Sequence, residues 1–77
     1  MTRAEIYLNE KLPENQFKDF YGNELPRSGD AIHLFNRVHD KYDSFVVRSV
    51  NFEENPGFRR VDEAKFNIYL VIARLGS

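Results

Sequence analysis

The sequence predicts a mainly β domain: a small curled antiparallel sheet or barrel of four to five strands, with one short helix or aromatic loop after the first strand. Three observations lead there. Apolar residues recur with period two in four separate stretches. Turn chemistry of Pro, Gly, Asn and Asp separates those stretches. Finally, 77 residues with no linker-like segment and no cysteine make a single domain, residues 1–77, whose core must come from packing alone. Seven Phe and four Tyr supply much of that core, since an aromatic side chain buries on the order of 150–250 Å².

In the first strand Ala4, Ile6 and Leu8 fall on one face and Arg3, Glu5, Tyr7 and Asn9 on the other, the pattern of a half-buried strand. Residues 12–22 then place proline near the start, glycine at the end and Phe17, Phe20 and Tyr21 at i, i+3, i+4. Those marks predict a short helix over residues 13–21; the alternative is an irregular loop with aromatic plugs, because so short a helix needs tertiary support. The turn Pro26-Arg27-Ser28-Gly29-Asp30 leads into a second strand, Ala31 to Asn36, with Ile32 and Leu34 on one side. His33 points the other way, with Ala31 and Phe35.

The third strand, Ser44 to Phe52, starts with Phe45 and Val47 on one face and ends with Val50 and Phe52 on the other. Strict alternation would turn Arg48 inward, a costly guanidinium burial, so a β-bulge near Arg48-Ser49 is predicted instead. The fourth strand, about Lys65 to Leu75, is apolar on both faces and is expected to be central or covered on its second side. Between these two, Asn55-Pro56-Gly57 marks a turn, and the connection has room for a short extra strand at Phe58 to Val61. The expected core is Ile6, Leu8, Ile32, Leu34, Phe45, Val47, Val50, Phe52, Phe66, Ile68, Leu70 and Ile72.

Eleven Lys and Arg against twelve Asp and Glu give a net charge of −1, so the whole chain carries no field that draws it to nucleic acid or to an anionic membrane. The longest apolar run, residues 67–73, is too short to span a bilayer. A soluble, cytoplasmic protein without a membrane role is the expectation. His33, His39, Asp40 and Asp43 are the one grouping with metal-ligand character, but their spacing does not force three ligands to converge. Glu53, Glu54, Asp62 and Glu63 flank one polar connection with nothing to bury them and separate their pKa values. The four glycines form no phosphate loop, and no nucleophile motif occurs. The expectation is no enzyme, no cofactor and no metal.

What remains is binding. The leading expectation is a non-catalytic protein-interaction module, recognising a partner protein or a second copy of itself through Tyr7, Tyr69 and Val71 on the outer faces of the first and last strands. If the segment holding Phe17 and Phe20 covers that face, those residues are core instead. The alternative is a small β-barrel that binds single-stranded nucleic acid, with Arg59 and Arg60 as contacts.

Overall fold

The computed structural model describes residues 2–57 and 65–76 of the chain. Five strands, β1 (Thr2–Leu8), β2 (Gln16–Gly22), β3 (Ala31–Asn36), β4 (Lys41–Glu54) and β5 (Phe66–Arg74), form one sheet in the order β2-β1-β5-β4-β3. The sheet curls into an open half-barrel, the mainly β architecture that the periodicity predicts. β5 lies between β1 and β4, and this central place accounts for its two apolar faces.

Two features of the strand arrangement differ from the sequence expectation. β1 runs parallel to β5, in register from Glu5↔Tyr69 to Leu8↔Ile72, while β1–β2, β3–β4 and β4–β5 are antiparallel. The sheet is therefore mixed. Alternation fixes which face a side chain takes and is silent on strand direction. The second difference is that residues 13–21 form neither a helix nor an aromatic loop: a 3-10 turn at Pro13–Asn15 is followed directly by β2. Between Ile6↔Lys18 and Tyr7↔Gln16 the register slips, so Phe17 is an extra residue in β2. That bulge brings Phe17 onto the face shared by Phe20, where its ring meets Phe45 edge-on at 5.6 Å. A spacing of three, read as a helix, is here a strand with one inserted residue.

The bulge predicted in β4 is present: Val47 pairs with Ile72 and Ser49 with Val71, leaving Arg48 unpaired and exposed. Val47 and Val50 consequently both face the core. The turn before β3 locks onto this irregularity. Gly29 N–H donates to Val47 O at 2.7 Å, Val47 N–H to Asp30 O at 2.8 Å, and Ser28 Oγ to the carbonyl of Arg48 at 2.8 Å. Gly29 adopts φ +96 here, a conformation that favours a residue without Cβ.

Ala4, Ile6, Phe45, Val47, Leu70 and Ile72 are fully buried on the concave face. Leu8, Ile32, Leu34, Val50 and Ile68 from the expected core are half-buried against them, joined by Phe20 and Leu25. Phe52 and Phe66 belong to the expected core but are exposed, at 59% and 53%. Both sit where the β4–β5 ribbon runs beyond its neighbours: β1 pairs β5 only from Tyr69 onward, and β3 pairs β4 only as far as Val46. Correct parity does not bury a side chain when no strand stands opposite it. The extra strand expected at Phe58 to Val61 lies outside the described residues.

Candidate functional site

The three interface candidates from the sequence meet on the convex face. Tyr7 is in register with Val71, and its ring meets that of Tyr69 edge-on at 5.9 Å. Phe17 and Phe20 lie on the opposite face and do not cover them. The cluster is nonetheless partly covered by its own surroundings. Lys11, in the turn after β1, places its ammonium 4.9 Å from the Tyr69 ring centroid and 3.4 Å from Glu53. Tyr7 is only 7% exposed, and Tyr69 and Val71 are half-buried. Burial, with the nearby charge of Glu5, raises the Tyr7 phenol above its ordinary pKa, partly offset by Lys11. Burial acts to lower the Lys11 ammonium, but its hydrogen bond to Glu53 and that carboxylate's charge outweigh it and leave it raised.

A more open surface lies on the other side, where the curl brings the two sheet edges together. β2 and β3 are those edges, and the ammonium of Lys18 crosses the seam to donate to the carbonyl of Phe35 at 3.2 Å. In an antiparallel pair, backbone groups of alternate residues point toward and away from the neighbouring strand. The Val47 N–H bond to Asp30 O sets the phase: Ile32, Leu34 and Asn36 address β4, while Ala31, His33 and Phe35 direct N–H and C=O outward. The Lys18 bond to Phe35 agrees with that phase. So do the close side-chain pairs expected at positions without ladder bonds, His33 Nδ1 with Ser44 Oγ at 2.9 Å and Phe35 with Tyr42 at 5.2 Å between ring centroids.

Beside this edge is a cleft of about 320 Å³ whose lining includes Phe17, Lys18, Phe35, Arg37, Asp43 and Arg74. Three cations thus face one carboxylate. Asp43 accepts a hydrogen bond from Asn36 Nδ2 at 3.1 Å, and Arg74 stands 3.9 Å from it with its guanidinium over Phe45 at 5.3 Å. Around the same end, Phe35, Tyr42 and Val38 are exposed at 38%, 68% and 87%. Sequence reading did not single out this seam. The outward parity of His33 and Phe35 and the adjoining aromatic and cationic residues at Phe17-Lys18 and Phe35-Asn36-Arg37 were visible signals, but which strands form the edges was not.

Of the other candidates, His33 lies on the β3 edge bonded to Ser44, whereas His39 lies in the following turn, its backbone N–H donating to Asn36 Oδ1 at 3.3 Å. No group of three or more His, Cys, Asp or Glu that could hold a metal ion occurs among the described residues. Arg59, Arg60, Asp62 and Glu63 lie outside them. No helix among the described residues is long and apolar enough to cross a membrane. Comparisons with protein-family models, curated proteins and solved structures each find no match.

Proposed function

We propose that this chain is a non-catalytic protein-interaction module that receives an extended segment of a partner protein as an added strand along β3. The observation that carries this reading is the edge itself: Ala31, His33 and Phe35 direct backbone donors and acceptors away from β4, and the carbonyl of Phe35 is held by a displaceable lysine. Strand addition draws affinity from such main-chain groups and specificity from neighbouring side-chain pockets. The exposed Phe35 and Phe17 beside the cleft give an incoming strand apolar surface to cover. Tyr7 then serves as convex-face packing rather than as an interface residue, because a side chain 7% exposed offers a partner almost no area, and the half-buried Tyr69 already carries Lys11 over its ring.

The test is a titration of the ¹⁵N-labelled protein with the uncharged strand-forming peptide acetyl-Val-Gln-Val-Gln-Val-Gln-amide, followed by amide shifts. Shifts should concentrate at Ala31, His33 and Phe35 and vanish in the His33→Pro variant, which removes an outward N–H while leaving the β4 ladder intact. Shifts confined to Tyr69 and Val71 would return the interface to the convex face.

A further inference from the structure

Resting on that reading, we infer that the seam selects acidic segments: the partner strand carries Asp or Glu side chains that meet Lys18, Arg37 and Arg74. The cleft concentrates three cations against one carboxylate in a chain whose net charge is −1. Arg37, in the β3–β4 turn, has no hydrogen bond or ion pair among the described residues, and Arg74 reaches Asp43 only at 3.9 Å. Charge complementarity of this kind sets partner choice and encounter rate.

Lys18 adds a second reason. Its bond to Phe35 O blunts the open edge, a common use of lysine on edge strands. A strand docking on β3 must take that carbonyl and displace the ammonium. An uncharged segment leaves Lys18 without its acceptor, whereas a carboxylate on the segment gives it a new one. The edge is thus guarded against indiscriminate pairing and opened by the matching charge. The seam favours a peptide over nucleic acid because the edge also presents backbone donors and acceptors in strand phase, which a polypeptide matches along its length and a phosphodiester chain does not.

Three peptides of identical length separate the outcomes: acetyl-Val-Glu-Val-Glu-Val-Glu-amide and its Gln and Lys counterparts, titrated at low and high salt. Each exposed ion pair is worth a factor of about 1.4 to 5. The Glu peptide should therefore bind roughly tenfold more tightly than the Gln peptide at low salt, with the Lys peptide weakest, and the preference should collapse as salt screens it. Arg37→Ala should reduce the Glu preference and leave the Gln affinity unchanged, and Arg37→Lys should restore most of it. Equal affinity for Glu and Gln peptides overturns charge selection while strand docking stands. Binding by none of the three overturns strand docking itself. An oligothymidylate that binds the seam more tightly than the Glu peptide overturns the assignment to an acidic polypeptide.

Discussion

Deleting Arg48 should leave the protein folded, whereas deleting Val46, two positions earlier, should unfold it. The bulge explains the asymmetry. Val47 pairs with Ile72 and Ser49 with Val71, so removing the inserted Arg48 joins the two halves of β4 into one continuous register with every inward residue still inward. The chief loss is the Ser28 hydrogen bond to the Arg48 carbonyl, about 0.5–1.5 kcal/mol net, which lowers Tm by roughly 4–8 °C per kcal/mol in a domain of this size. Deleting Val46 leaves two ways to restore pairing. Either Phe45, fully buried, turns to the convex face at about 3–5 kcal/mol, or Val47 turns out and Arg48 turns in against Ile72. The second loses about 1.5–3 kcal/mol of valine burial and adds the burial of an unpaired charge. Both losses rival the whole stability of a domain this small, about 3–5 kcal/mol. Urea unfolding followed by far-UV circular dichroism distinguishes them. Equal stability of the two deletion variants, or loss of the fold on deleting Arg48, would refute the reasoning.

Other perturbations have defined outcomes. Leu70→Ala removes a fully buried side chain at the centre of the sheet and should cost about 2–5 kcal/mol in urea unfolding, where the exposed Phe52→Ala should cost far less. Gly29→Ala introduces a Cβ that meets nothing within 4 Å, yet φ +96 strains it; a loss of about 1–2 kcal/mol is expected, and an unchanged midpoint would contradict it. The raised pKa of Tyr7, caused first by burial, means the folded state holds its proton more tightly than the unfolded state. Its stabilising contribution is complete below the unfolded tyrosine value near 10 and is lost as pH rises through the folded value. Tyr7→Phe should therefore flatten the alkaline decline of stability in urea titrations above that pH.

The fold was legible where alternation was unbroken or broken by an unaffordable residue. Ala4, Ile6 and Leu8, then Ile32 and Leu34, announced their faces directly, and the prospect of burying Arg48 revealed the β4 bulge. The β2 bulge hid because its inserted residue, Phe17, is itself aromatic: a spacing of three between Phe17 and Phe20 fits a helix and a bulged strand equally well, and no misplaced charge excluded either. Phe52 and Phe66 were misplaced for another reason. Their parity is right, but burial also needs an opposing strand, and strand lengths and neighbours are tertiary facts. The seam escaped for the same cause, since Lys18 and Phe35 are seventeen residues apart and meet only because β2 and β3 end up as the edges of a curled sheet. The convex tyrosines were legible as a group because β1 and β5 alternate cleanly, although the placement of Lys11 over Tyr69 depends on the turn after β1.

Hydrogen exchange at β3 tests the open edge most directly, because it reads the backbone groups on which strand docking depends. In the free protein the amides of Ala31, His33 and Phe35 should exchange rapidly and those of Ile32 and Leu34, directed at β4, slowly. With the acetyl-Val-Glu-Val-Glu-Val-Glu-amide peptide at saturation the first three should become protected as well. Uniform protection of all five in the free protein would mean the edge is already closed, and three edge amides that still exchange rapidly under saturating peptide would contradict strand addition at β3.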